Sequence, residues 1–152
     1  MEKKMSVMGV AGKIAAVLIL SVAITAGIHY LSGSVFTITE NDHTLVIVAV
    51  AMAVAGFTLN LISAFGMLSA NRKGQLATGG FYSVFFHPMY TFQLLITVPG
   101  LLLFFNSWLV LVAVIPAFIA FKVFAKEEER YLEEKFGPLY KDYREKVRIK
   151  FL

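Results

Sequence analysis

The sequence predicts an all-α integral membrane protein: four transmembrane helices, the last two forming a helical hairpin, followed by a C-terminal amphipathic helical tail. Three observations predict it. Of 152 residues, 58% are hydrophobic and only 16% charged, where an average soluble domain carries about 25% charged residues. Charge is also missing in blocks, with none between Thr44 and Asn71 and none between Gly74 and Phe121, and runs of that length suit membrane spans. Finally, the 14 lysines and arginines all fall on one side once the chain is threaded through a bilayer.

The chain reads as a single membrane-embedded domain over 1–152. Its spans are expected at about 10–31, 44–69, 88–105 and 108–126, with a tail at 127–152. A short basic start, Met1 to Lys4, precedes the first apolar run. That run is of spanning length and more spans follow, so an uncleaved first helix is expected rather than a signal peptide. His29 and Tyr30 at its far end suit an interfacial belt. The loop after it carries Glu40 and Asp42 but no basic residue.

The second span holds Ala49, Ala51, Ala53, Ala55 and Gly56, small residues that let another helix approach closely. Asn60 is expected to make an interhelical hydrogen bond. Asn71-Arg72-Lys73-Gly74 supplies the stop signal, with cations and a glycine at the helix end. From Thr91 to Ala125 Lys122 is the only charge. One helix of that length would measure about 52 Å against a hydrocarbon core of about 30 Å. Asn106-Ser107 therefore marks a turn, with Ser107 the N-cap of the returning helix and Trp108 an interfacial anchor. Pro99 and Pro116 are expected to disturb the two arms.

With four spans, the N-terminus, the second loop and the C-terminus share the side that carries the basic residues, which makes both termini cytoplasmic. Acids interleave with the bases, so no nucleic-acid partner is expected. The sequence has no cysteine and shows no metal-ligand spacing. In the tail, Leu132, Phe136, Leu139, Tyr140, Tyr143 and Val147 recur at three- and four-residue spacing. Gly137-Pro138 divides it into the end of the last span and a short surface helix.

Two clusters carry chemistry. In Leu76 to Tyr90, Gly79-Gly80 permits close backbone approach to a ligand. Pro88 opens a helix whose amides attract an anionic group, and His87 and Tyr90, three apart, share a face. In the second cluster, Lys126 to Arg130, Glu128 lies four residues before Leu132 and eight before Phe136. That puts a carboxylate on the apolar stripe, facing protein rather than water, where it needs a partner. Glu129, about 100° further round the helix, reaches the edge of the same pocket and is expected to act catalytically with Arg130.

Together these segments resemble the isoprenylcysteine carboxyl methyltransferase and phospholipid methyltransferase superfamily of integral membrane proteins. The resemblance rests on His87-Pro88-x-Tyr90, a charge-poor hairpin, Glu128-Glu129-Arg130-Tyr131-Leu132, Phe136-Gly137, Tyr140 and Tyr143. It covers about Leu76 to Val147. It implies S-adenosylmethionine as cofactor, held by Leu76, Tyr82, His87, Pro88, Tyr90 and Glu128, and a lipophilic or lipid-linked methyl acceptor. Arginines common in the family are replaced here by Ser83, Phe86 and Phe124. A non-catalytic lipid- or partner-binding protein on the same scaffold, and an NADPH-dependent membrane reductase, are the alternatives.

Overall fold

The computed structural model describes residues 7–150; the basic start Met1 to Lys4 lies outside them. The described chain forms α1 (Val7–Leu31), α2 (Asp42–Arg72), α3 (Pro88–Phe105), α4 (Trp108–Phe136) and α5 (Pro138–Lys146). The first four are long and apolar enough to cross a membrane. This is an integral membrane protein.

The stop signals act where the sequence puts them. α2 ends at Arg72, and Gly74 takes a φ of 66° just beyond it. Ser107 caps α4, its hydroxyl accepting from the Val110 amide. Asn106 before it is left-handed, with a φ of 47°. Its side-chain amide donates to the Thr39 carbonyl at 2.8 Å and to Asp42 at 2.6 Å, which ties the first loop to the hairpin turn. α4 continues past the apolar stretch to Phe136. There Gly137, at φ 52°, breaks the chain into α5, and Pro138 occupies the first turn of the new helix.

Both span prolines leave a mark on hydrogen bonding. Pro99 cannot donate to a carbonyl four residues back, and α3 widens into a π turn over Gln93–Thr97 ahead of it. Pro116 likewise leaves the Val112 carbonyl without its usual partner, and the Ile115 amide takes it instead at 3.0 Å.

α3 lies inside the bundle, between α2 on one side and α4 with α1 on the other. Of its apolar window 44% is buried, against 11% for α1 and for α2. α2 meets α3 at glycines: a Cβ on Gly56 would lie 2.7 Å from the Thr97 amide nitrogen, and one on Gly100 2.8 Å from that of Ala53. α1 packs along α4 through Val10, Ile14, Phe121 and Ala125. The Lys13–Glu127 pair at 2.8 Å joins these helices at the end that carries the lysines and arginines. Both side chains are about half exposed, so the pair contributes little to stability.

The tail returns to the loop between α2 and α3. The Phe86 amide donates to the Ile149 carbonyl at 3.0 Å, and the Ile149 amide to the Val84 carbonyl at 2.9 Å. Tyr140, Tyr143 and Val147 bury themselves against Phe86. The amphipathic stripe of α5 therefore faces the loop.

Candidate active site

Three pieces of chain converge at the basic end of the bundle. The loop from Gln75 contributes Leu76 and Tyr82, the start of α3 contributes His87, Pro88 and Tyr90, and α4 contributes Glu128. All six line one cavity of about 350 Å³. Local sequence explains each placement. Pro88 opens α3 because its missing N–H costs nothing at a helix start. His87 stands just before it, only 8% exposed. Glu128 shares its helix face with Leu132 and Phe136, and all three reach the cavity wall.

The carboxylate of Glu128 accepts a hydrogen bond from the Tyr90 hydroxyl at 3.3 Å. Burial first, and then the charge of Glu128, push the Tyr82 phenol above its usual range. Tyr82 is fixed from behind, its carbonyl accepting from the Tyr143 hydroxyl at 2.9 Å.

Glu129 and Arg130 have other surroundings. Glu129 is off the cavity wall and sits behind it. One carboxylate oxygen meets Nε2 of His87 at 3.4 Å and the other meets Arg144 of α5 at 3.8 Å. It links a wall residue to the tail rather than facing the cavity. Arg130 is exposed and does not line the cavity; at 100° per residue it points some 200° round the helix from Glu128.

Met67 and Asn71, which supply the α2 wall, and Tyr140 and Tyr143, which supply the α5 wall, were not among the expected site residues. For the tyrosines the signal was present as the tail's apolar stripe, without an indication of what it covers. Phe86, at a position where the resemblance implies an arginine, is 6% exposed. It stacks on Tyr143 with ring centroids 5.6 Å apart and meets the His87 ring edge-on at 4.7 Å. Phe86 thus gives the cavity wall an aromatic contact.

Residues 43–138 match the family model described as phospholipid methyltransferase. The matched stretch is well over half of the chain and runs from the start of α2 through the loop and α3 to the end of α4. The chain belongs to the phospholipid methyltransferase family. No curated protein and no solved structure matches it. Within this phospholipid methyltransferase family member, the match includes every sequence-selected site residue from Leu76 to Arg130, whereas Tyr140 and Tyr143 lie beyond it. Membership in the family gives its general character, a membrane methyltransferase.

Proposed function

We propose that the protein is an S-adenosylmethionine-dependent methyltransferase that acts on a lipophilic or lipid-linked acceptor at the cytoplasmic face of the membrane. The observation that carries this reading is the shared cavity of Leu76, Tyr82, His87, Pro88, Tyr90 and Glu128. Its volume of about 350 Å³ falls within the range of small-molecule sites, about 300–1,000 Å³. Its wall combines a carboxylate, an imidazole, several phenols and aromatic faces, a set that suits a molecule with an ammonium, a carboxylate, a cationic sulfur and a purine.

When bound, S-adenosylmethionine supplies an electrophilic methyl group on a positively charged sulfur. The chain's own part is to hold and orient. Glu128 offers its charge to the donor's ammonium or ribose. His87 and the amides of the α3 start offer donors to its carboxylate, and the aromatic walls favour a cation. Displacement at the methyl is in line, so fixing two reactants in position supplies much of the rate.

Two measurements test the reading. Purified protein in detergent is expected to bind S-adenosylhomocysteine and not NADPH by calorimetry. Binding of neither would favour a non-catalytic lipid- or partner-binding role, and binding of NADPH alone a reductase. A reporter fused to the C-terminus is expected to read cytoplasmic; the opposite signal would move the cavity to the other membrane face.

A further inference from the structure

His87 stands in an aromatic slot. The rings of Phe86, Tyr90 and Phe121 meet it near edge-on, with centroids 4.7, 6.1 and 5.5 Å away. Such rings fix the plane of an imidazole but not which edge carries which atom. A half-turn about the last side-chain bond exchanges nitrogens for carbons at almost constant shape, and that torsion has two broad wells. Glu129 breaks the tie. Its Oε1 lies 3.4 Å from Nε2 of His87, and because a carboxylate only accepts, Nε2 carries the proton. Nδ1 is then the nitrogen left for a ligand in the cavity that His87 lines. A ring that meets a carboxylate at each nitrogen donates at both.

Glu129 needs fixing in turn, since its own side chain has three rotatable bonds. Its second oxygen, Oε2, meets Arg144 at 3.8 Å. The two oxygens therefore have separate partners, one on the cavity wall and one on the tail. Arg144 lies in the last turn of α5, off the wall and beyond the matched residues 43–138. A second ion pair also joins α5 to α4, between Lys141 and Glu133 at 3.6 Å. Neither of its members lines the cavity.

We propose that Arg144 is a positioning residue: it holds Glu129 from behind, and Glu129 in turn fixes His87 with Nδ1 presented to the carboxylate of the methyl donor. This rests on the reading that the cavity takes S-adenosylmethionine. Arg144 touches no ligand. It narrows the choices of Glu129, and Glu129 those of the imidazole, so a residue of the tail sets the affinity of a site built by the loop, α3 and α4.

A double-mutant cycle on full-length protein in detergent separates this role from simple clamping of the tail. Calorimetry with S-adenosylhomocysteine is expected to show a loss of about threefold in Arg144→Gln, the scale of a half-exposed ion pair, and near wild-type affinity in Arg144→Lys. In a Glu129→Gln background Arg144→Gln should add nothing, because the relay is already cut. Lys141→Gln should bind as wild type does. Full affinity in Arg144→Gln, the same threefold loss repeated in the Glu129→Gln background, or an equal loss in Lys141→Gln overturns the proposal. If Arg144→Gln melts early, Arg144→Met keeps the aliphatic stem and takes its place in the cycle. The ring is also read directly, without ligand, from imidazole nitrogen NMR of histidine-labelled protein. The chain has three histidines, and His87→Gln assigns the signal. Wild type is expected to show proton-bearing Nε2 in one environment, and Arg144→Gln a shifted or broadened signal; identical spectra overturn the proposal. A signal that responds to Arg144 in a protein that binds no S-adenosylhomocysteine would count against the methyl donor and leave the positioning in place.

Discussion

Glu128→Gln is expected to weaken S-adenosylhomocysteine binding by about fivefold to tenfold, measured by calorimetry on detergent-purified protein, while the variant stays folded. The substitution keeps the shape of the side chain and removes its charge. A hydrogen bond to a charged group is worth about 1.5–3 kcal/mol, roughly twice a neutral one, and that difference sets the expected loss. The fold should tolerate the change, because the Tyr90 hydroxyl that donates to Glu128 at 3.3 Å can donate equally to the amide oxygen. His87→Ala should weaken the same binding, since the imidazole stands on the same wall. Glu129→Gln is the informative contrast. Its carboxylate faces His87 and Arg144 rather than the cavity, so it acts through His87 and its loss should cost less than that of Glu128. Equal affinity in wild type and Glu128→Gln would sink the assignment of this wall.

What the sequence revealed and what it concealed divide along the range of the interaction. The spans, the Ser107 cap, the glycine after Arg72 and the Gly137-Pro138 break depend on neighbours a few residues away, and spacing exposes them. Glu128 was legible for the same reason, because a carboxylate on a 3.6-residue apolar stripe is an anomaly visible in one helix. Its meeting with Tyr90, 38 residues distant, followed from the antiparallel hairpin. The tail was different. Its stripe of Tyr140, Tyr143 and Val147 announced a buried face, yet nothing local says that the face covers Phe86, or that Ile149 pairs with the backbone at Val84 and Phe86. Phe86 illustrates the point. Seen along the chain it is a missing arginine, whereas in three dimensions it is the ring on which Tyr143 stacks. Face arithmetic also accounts for Glu129 and Arg130: one or two steps of 100° take them off the Glu128 face, the first to a place behind His87 and the second to the exposed surface.

The small residues of α2 separate the same way, and they set the largest expected effect on stability. Ala49, Ala51, Ala53, Ala55 and Gly56 all invite close packing, but only Ala49 and Gly56 are buried. At Gly56 there is no room at all. An added Cβ would lie 2.5 Å from Thr97 Oγ1 and 2.9 Å from Thr97 Cα, and a backbone atom cannot turn aside as the end of a flexible side chain can. Gly56→Val must push α2 from α3 at the level of the π turn, which also parts Asn60 from its hydrogen-bond partners Gln93 and Thr97. Overpacking of this kind costs about 1–3 kcal/mol, and the lost interhelical hydrogen bonds add about 0.6 kcal/mol each. The expected result is a clear fall in melting temperature and in the monodisperse fraction on gel filtration. Gly66 supplies the control on the same helix. It is exposed, with nothing within 4 Å of an added Cβ, so Gly66→Val should melt close to wild type. If the two variants melt alike, helix propensity rather than the Gly56–Thr97 contact governs this face, and the close approach of α2 to α3 is not what holds the cavity's α2 wall in place.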